Sequence, residues 1–110
     1  MAEIREIKSV EEYQEFINNQ SSLNVVKISA SWCSPCRMLG EIIKNLTQDE
    51  ISGVSIREID ADGEQFEDLM AELKIRGIPV LIAYKNGEEV DRMAGMSTKD
   101  NLLAFFGRNK

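Results

Sequence analysis

The chain has 110 residues, of which 43% are hydrophobic and 29% are charged, and its net charge is −6. This size and composition predict a single domain, residues 1–110, that folds around its own hydrophobic core. The negative charge disfavours nucleic acid and anionic membrane surfaces as partners, and no apolar run reaches the roughly 18 residues that would span a bilayer.

The N-terminal segment, Met1–Glu6, is charged and has no apolar stretch. It therefore lacks the pattern of a signal peptide, and a reducing cytoplasm is the expected compartment. In that compartment an isolated Cys-x-x-Cys pair is more often catalytic or metal-binding than structural.

The first part of the chain predicts a strand, a helix and a second strand. Ile4 to Ile7 favours a short strand, and Ser9 followed by Glu12 matches a capping box that opens a helix. After a polar break at residues 18–22, Leu23 to Ile28 is rich in β-branched residues and predicts a central strand. The apolar residues that the first helix should bury are Val10, Tyr13, Phe16 and Ile17.

The only two cysteines, Cys33 and Cys36, lie between this central strand and a predicted helix. Strand, Cys-x-x-Cys and helix in this order indicate a redox motif. Cys33 falls at the helix N-terminus, where unpaired backbone N–H groups and the helix dipole favour a thiolate. Pro35 suits the first helical turn, which does not need its missing N–H. Cys36, one turn on, points back toward Cys33 and can close a disulfide with little backbone movement.

Two other interpretations of the cysteine pair are weaker. A zinc site needs about four nitrogen or sulfur ligands, whereas this chain has no histidine and no second cysteine pair. A permanent structural disulfide across so short a loop would constrain little of the unfolded chain. Dithiol–disulfide exchange is therefore favoured, and no metal site is expected.

The middle of the chain continues the alternation of helices and strands. A helix of about 14 residues should follow the cysteines and end before Gly53, and residues 54–59 predict the next strand. A strand–helix–strand unit of this length implies parallel pairing with a right-handed crossover. Asp62 can cap a further helix, which Arg76-Gly77 should break. The apolar faces of these two helices are Leu39, Ile42, Ile43 and Leu46 in the first, and Phe66, Leu69, Met70 and Leu73 in the second.

The last part predicts a hairpin and a final helix. Val80–Tyr84 and Val90–Ala94 flank Asn86-Gly87, which is the strongest two-residue turn signal, and Gly95 interrupts the second strand. Without further information, the whole pattern predicts an α/β domain with a mixed sheet. The final helix should start at Ser97 or Thr98 and bury Leu102, Leu103 and Phe105 or Phe106.

Several segments together resemble the thioredoxin family. Residues 32–37, Trp-Cys-Ser-Pro-Cys-Arg, are similar to its active site, where Trp-Cys-Gly-Pro-Cys-Lys is the commonest form. Arg76–Val80 resembles the loop that carries the family's cis-proline, while Lys85–Glu88 and Ala94–Met96 match its hairpin and last substrate-facing loop. The resemblance covers essentially the whole chain. It implies the thioredoxin fold, a central mixed five-stranded sheet in the order 1-3-2-4-5 with helices on both faces.

The resemblance also implies an activity, that of a protein-disulfide reductase which maintains cytoplasmic thiols. Cys33 would be the exposed nucleophile and Cys36 the buried resolving cysteine. The two thiols carry the chemistry, so no bound cofactor is expected. The implied partners are disulfide-containing proteins and a thioredoxin reductase that uses NADPH to re-reduce the pair, and the chain is expected to be a monomer.

The same resemblance predicts a surface on which substrates dock. Pro79 should follow a cis peptide bond and face the cysteines, leaving the backbone of Ile78 free to pair with an extended substrate segment. The alternative is an ordinary proline at the start of a strand. Trp32, Gly95 and Met96 would complete an apolar, shallow rim.

Lys27 departs from the family pattern. Six residues before the first cysteine, the family usually has a buried aspartate, thought to accept the proton of the second cysteine, and a lysine in the following strand. Here Lys27 and Glu58 take those places, so the acidic and the basic residue are exchanged between the two strands. We expect this swapped pair to relay the proton of Cys36. The alternative is that Lys27 extends to the sheet edge and contacts neither group. Ser34-Pro35 contains serine in place of the usual glycine, and this dipeptide tunes the redox potential in the family.

The sequence is compatible with two further functions. One is a specialised oxidoreductase or isomerase with a dedicated partner, which Lys27 and Ser34 leave possible because they bear on the redox potential. The other is a redox-inactive binding module with the same fold. The intact cysteine pair and Pro79 argue against that module, because a scaffold needs neither.

Overall fold

The computed structural model describes residues 4–20 and 22–110. Residues 1–3, part of the segment that lacks a signal-peptide pattern, and Ser21 of the predicted polar break lie outside the described residues. In chain order the elements are β1 (Arg5–Glu6), α1 (Val10–Ile17), β2 (Leu23–Ser29), α2 (Ser34–Lys44), β3 (Val54–Asp60), a 3₁₀ turn (Glu64–Phe66) leading into α3 (Glu67–Glu72), β4 (Val80–Lys85), β5 (Glu88–Ala94) and α4 (Lys99–Asn109).

The five strands form one mixed sheet in the order β1-β3-β2-β4-β5, which confirms the order that the resemblance implies. β3 is parallel to both β1 and β2, whereas β4 is antiparallel to β2 and β5 is antiparallel to β4. β2 lies at the centre, and all seven of its residues are buried. The active-site turn therefore leaves the carboxyl end of the best-protected strand, which gives it a rigid base.

Alternation along β2 assigns its side chains to two separate cores, one on each face of the sheet. Val25 packs with α2 and α4, while Val26 and Ile28 pack with α1 and α3. The predicted arrangement of helices on both faces is therefore confirmed. Lys27 is two residues from Val25, so its side chain belongs to the α2 face. None of the helices within residues 4–20 and 22–110 has the length and apolarity needed to cross a membrane.

The helix after the cysteines is shorter than the sequence predicts, because it ends at Lys44. The Asn45 side chain donates to the Glu41 carbonyl oxygen at 2.9 Å and so satisfies a group at the helix end. Thr47 and Glu50 then cap each other's backbone N–H groups, at 2.8 and 3.2 Å, and start a separate turn. Leu46 is buried as predicted, but it lies beyond the helix.

The predicted boundaries of the next helix are also wrong. The residue that precedes its 3₁₀ turn is Gly63, which makes no side-chain cap, and Asp62 is engaged elsewhere. The helical segment ends at Glu72, before Arg76-Gly77, because Lys74 adopts a left-handed conformation with φ of 58°. A left-handed residue just after a helix terminates it, and glycine is the usual choice there.

Lys74→Gly should therefore stabilise the fold. A non-glycine residue in the left-handed region carries steric strain, which glycine relieves at some cost in unfolded-state entropy, so we expect a net gain of about 0.5–1 kcal/mol. Urea denaturation of the oxidised protein measures the free energy of unfolding. Lys74→Ala is the matched control, because it removes the same side chain and keeps the strain. Equal stability of the two variants would contradict this explanation.

The predicted hairpin and final helix are confirmed. Asn86 and Gly87 have φ of 54° and 82°, as a type I′ turn requires. Gly95, with φ of 83°, follows the end of β5. Of the two proposed starts of the final helix, the structure selects Thr98, whose hydroxyl accepts the Asn101 N–H at 3.1 Å. This helix buries Leu102, Phe105 and Phe106, with Leu103 half-buried.

Candidate active site

Cys33 occupies the N-cap position of α2, as the sequence predicts. Its backbone is extended, with φ of −92° and ψ of 106°, and its Sγ accepts the backbone N–H of Cys36 at 3.2 Å. The Cys33 N–H in turn donates to the Ala30 carbonyl oxygen, which closes the turn after β2. Pro35 lies in the first turn of α2. The sulfur of Cys33 is therefore the side-chain group that receives the helix's free N–H, where negative charge is stabilised.

Cys33 and Cys36 form a disulfide, and their Cα atoms are 5.2 Å apart. Both residues are buried in this oxidised state, with exposed fractions of 4% and 1%. The expectation that Cys33 is exposed is therefore wrong, because Ala30 and Ile78 pack against the pair. The two cysteines nevertheless differ in their access to the surface, because Cys33 lines a surface groove and Cys36 does not.

The loop before β4 lies across from Cys33. The Ile78–Pro79 bond is cis, which confirms the prediction, and the Ile78 carbonyl oxygen is 4.0 Å from the Cys33 sulfur. Gly95 N–H donates to the Pro79 carbonyl oxygen at 2.8 Å and ties the end of β5 to this loop. Met96, one residue on, is 42% exposed and lines neither of the two grooves that adjoin residues 75–78. The structure therefore brings Ile78, Pro79 and Gly95 together and leaves Met96 at the margin.

Trp32 forms one wall of a groove of about 490 Å³ beside the disulfide. Its side chain is 67% exposed, and its indole N–H donates to Asp62 Oδ2 at 2.7 Å. Asp62 thus fixes the ring at the edge of the groove instead of capping a helix. This contact was not predicted from the sequence, although a signal for it exists: the two residues follow parallel neighbouring strands, whose carboxyl ends meet at one edge of the sheet. The other wall of this groove contains Ala61 and residues 75–78.

Arg37 is a second residue that the sequence analysis missed. Its guanidinium donates to the Ser31 carbonyl oxygen at 2.8 Å and to the Ser34 hydroxyl at 2.9 Å. These two bonds join the turn before the cysteines to the first residue of α2. Arg37 therefore holds the loop that positions Cys33.

Lys27 and Glu58 form an ion pair beneath α2. They lie opposite each other in the parallel register of β2 and β3, and Lys27 Nζ donates to Glu58 Oε2 at 2.6 Å and to the Ser29 hydroxyl at 3.2 Å. The Lys27 side chain is 3% exposed, whereas that of Glu58 is 33% exposed. This geometry is that of the swapped pair, and the alternative in which Lys27 extends to the sheet edge is wrong.

The ammonium group lies under the helix that carries Cys36. A Cβ atom added to Gly40 would lie 3.6 Å from Lys27 Nζ, and Gly40 is one helical turn after Cys36 on the same face of α2. Glu58 and Lys27 both line a polar cleft of about 420 Å³. The pair is thus arranged with its cation toward the helix and its carboxylate toward solvent.

The described residues contain no group of three or more histidine, cysteine, aspartate or glutamate side chains that is able to hold a metal ion. The chemistry that the arrangement supports directly is that of the two sulfurs: one at a helix N-terminus facing a groove, the other buried one turn behind it.

Comparisons with known proteins identify the family of this chain. A family model described as Thioredoxin matches residues 5–108. The chain is 35% identical to the thioredoxin of Staphylococcus saprophyticus over 85 residues, which are 77% of this chain and 80% of that protein. It is 31% identical to the thioredoxin of Chlamydia caviae over 103 residues, 94% of this chain and 96% of that protein.

A mitochondrial thioredoxin of Mus musculus is also similar, at 31% identity over 86% of this chain and 55% of that protein. Among solved structures, the thioredoxin of Fasciola hepatica superimposes with a TM-score of 0.83 at 30% identity, covering 97% of this chain and 100% of that chain.

Proposed function

Because this chain belongs to the thioredoxin family, as the match over residues 5–108 shows, we propose that it is a general reductase of protein disulfides in which Cys33 attacks and Cys36 resolves. Its family activity is thiol–disulfide exchange of the thioredoxin type, and the disulfide that this activity requires is present between the two cysteines. The observation that carries the assignment of roles is the asymmetry of the pair, because only Cys33 lines the groove.

The first step is attack by the Cys33 thiolate on one sulfur of a substrate disulfide. A mixed disulfide forms between Cys33 and that sulfur, and the other substrate sulfur leaves as a thiolate. The Cys36 N–H and the N-terminus of α2 stabilise the attacking thiolate. Because these groups belong to a helix that is already formed, they need no rearrangement when the substrate arrives.

The second step is attack by Cys36 on the sulfur of Cys33. This forms the intramolecular disulfide, and the substrate's remaining sulfur leaves as a thiolate that takes up a proton. Two electrons have then passed from the cysteine pair to the substrate. The Cα separation of 5.2 Å lets the second sulfur reach the first without moving the helix.

Substrate segments would dock on the loop that faces Cys33. The N–H of Ile78 has no hydrogen-bond partner among the described residues, so an extended segment can pair with it as an added strand. Pro79 keeps this backbone at the edge, and Trp32, Gly95 and Met96 supply the apolar rim. The exposed indole of Trp32 at the groove supports this role.

Glu58 and Lys27 would move the proton that Cys36 loses before the second step. Lys27 lies under the helix of Cys36 and bonds directly to Glu58, which opens onto a polar cleft. In this proposal Glu58, or Lys27 in its neutral form, accepts the proton that Cys36 releases and passes it on toward the cleft. Ser34-Pro35, the dipeptide between the two cysteines, would also tune the redox potential.

The remaining partners follow from the family. We assign re-reduction of the disulfide to a thioredoxin reductase supplied with electrons by NADPH, and the substrates to disulfide-containing proteins. A monomer in the cytoplasm, acting in electron transport and redox homeostasis, is the setting proposed; bacterial and mitochondrial thioredoxins are both among the similar proteins.

Reduction of insulin by dithiothreitol tests the proposed function. The oxidised protein at micromolar concentration should accelerate precipitation of the insulin B chain well above the uncatalysed rate. Cys33→Ser is the control and should return the rate to that background, since it removes the nucleophile. A wild-type rate equal to background would instead identify the chain as a scaffold with the same fold.

A specialised oxidising or isomerising protein is the second candidate, and one observation favours it. Lys27 is paired with Glu58, but its ammonium faces the helix of Cys36 and the carboxylate faces the cleft, so the pair would favour the Cys36 thiolate, stabilise the reduced state and raise the reduction potential.

A further inference from the structure

The surface beside the cis-proline loop is locally positive in a chain whose net charge is −6. Next to the Trp32 groove lies a second one, of about 300 Å³, and residues 75–78 line both. Within the described part of the chain, the charged residues that line the two grooves are Lys74, Arg76 and Arg92, and no carboxylate lines either. The linings of the two grooves therefore differ in sign from the protein as a whole, although the Asp62 carboxylate lies at the edge of the first groove.

This positive charge is confined to one side of the active site. The polar cleft on the other side is balanced as far as the described residues go, since they contribute as many carboxylates as cations to its lining. These are Glu6, Glu58 and Asp60, with Lys27, Arg37 and Lys44. The excess of positive charge near Ile78 is therefore local and does not extend over the whole surface around the active site.

Two of the three cations are available to a ligand. Arg92 is neutralised, because its guanidinium makes two bonds to the Glu89 carboxylate, at 2.6 and 2.7 Å, and a third to the Leu73 carbonyl oxygen. Lys74 and Arg76 are exposed, and neither has an ion-pair partner among the described residues.

Lys74 is also held in a backbone conformation that costs stability. Its φ of 58° lies in the left-handed region, where glycine would be the unstrained choice. Strained residues near a site of binding or catalysis are often retained for function. A cation at this position, instead of glycine, places charge at the rim of the second groove.

From this charge distribution we infer that the groove beside Ile78 selects substrate segments with acidic side chains next to the reacting cysteine, and that Lys74 and Arg76 provide this selectivity. The inference rests on the proposed function, because the occupant is the extended segment that pairs with Ile78. The Cys33 sulfur is 4.0 Å from the Ile78 carbonyl oxygen, so residues flanking a substrate cysteine must pass along this loop. Carboxylates there meet two unpaired cations.

The test compares three blocked peptides, each a disulfide-linked dimer of one sequence with a single cysteine flanked on both sides by Glu, Gln or Lys. The reduced protein is mixed with each in single turnover at low ionic strength, and the products are quantified after acid quenching. We expect the Glu peptide to react about three- to tenfold faster than the Gln peptide, and the Lys peptide to be slowest. High salt should collapse the difference.

Charge reversal supplies the decisive variant. Lys74→Asp combined with Arg76→Glu should invert the order of the three peptides. Lys85→Glu with Lys110→Glu is the matched control, because it changes the net charge equally at a pocket on the hairpin-turn end of the sheet, and it should leave the order intact. If the reversed variant does not fold, Lys74→Asn, which tolerates the left-handed conformation, should still reduce the preference.

Equal rates for the three peptides, or an unchanged order in the reversed or Lys74→Asn variant, would overturn the inference and leave the proposed function standing. Failure to reduce any peptide, together with no activity on insulin, would instead remove the proposed function and this inference with it.

Discussion

Replacing Cys36 with serine should convert the protein from a catalyst into a trap that holds its substrate covalently. Cys33 would still attack, because its N-cap position and the backbone N–H of residue 36 are unchanged. A serine hydroxyl does not displace a thiolate from a disulfide, so the mixed disulfide should persist. Without dithiothreitol, which would itself cleave the adduct, the pre-reduced variant should release no reduced insulin above background. Mass spectrometry under non-reducing conditions should show an adduct that dithiothreitol releases.

Cys33→Ser is the matched control for this experiment, and it should give neither adduct nor turnover. Free turnover by Cys36→Ser would show that a second protein thiol is not needed, and an adduct in Cys33→Ser would show that the roles of the two cysteines are reversed. Both results would contradict the mechanism as assigned.

Glu58→Ala should destabilise the protein more than Lys27→Met does. Removing the carboxylate leaves the buried ammonium of Lys27 with only the Ser29 hydroxyl as a partner, and removing one member of a buried ion pair typically costs about 3–5 kcal/mol. Because Lys27 also lines a polar cleft that admits water, we expect the lower end of that range. Methionine has a similar volume to lysine, and the Glu58 carboxylate left behind is partly exposed. Lys27→Met should therefore cost less than about 1 kcal/mol.

Loss of the pair should also slow the resolving step. At pH 7, decay of the mixed disulfide in single turnover should be slower in Glu58→Ala and in Lys27→Ala than in the wild type, because the proton of Cys36 loses its route to solvent. The double variant Lys27→Asp/Glu58→Lys restores the arrangement usual in the family and should recover part of both losses. Unchanged decay in both single variants would reject the relay. Equal stability of Glu58→Ala and the wild type would reject a contribution of the pair to folding.

Local signals in the sequence predict much of this fold because each acts within a few residues. Asn86-Gly87 supplies the two left-handed residues of the hairpin turn, and Cys33 with Pro35 marks the start of α2. The length of the connection between β2 and β3 predicts their parallel pairing. The strand order required the family resemblance, since nothing local distinguishes β3 from β4 as the neighbour of β1.

The features that sequence reasoning misjudged depend on contacts between distant segments. Cys33 is buried because Ile78, which is 45 residues away, packs against it. Asp62 has the residue type of a helix cap, but the indole of Trp32, 30 residues earlier, takes its carboxylate. A capping signal is local and tolerates several geometries, whereas these contacts are fixed only once the sheet has formed.

The Lys27–Glu58 pair lies between these two cases. The register of two parallel strands places the residues side by side, so the pairing can be predicted once the fold is assumed. The burial of Lys27 and its position under Gly40 cannot be predicted in this way, because they depend on how closely α2 packs on the sheet.

The equilibrium reduction potential of the Cys33–Cys36 couple tests the central claim most directly. Equilibration in redox buffers of dithiothreitol or glutathione can be followed through the fluorescence of Trp32, the only tryptophan and the neighbour of Cys33. A general reductase of the thioredoxin type should have a potential near about −270 mV. A value of about −180 to −120 mV, the range of isomerases and oxidants, would contradict that function and indicate that the buried cation has shifted the protein toward oxidation.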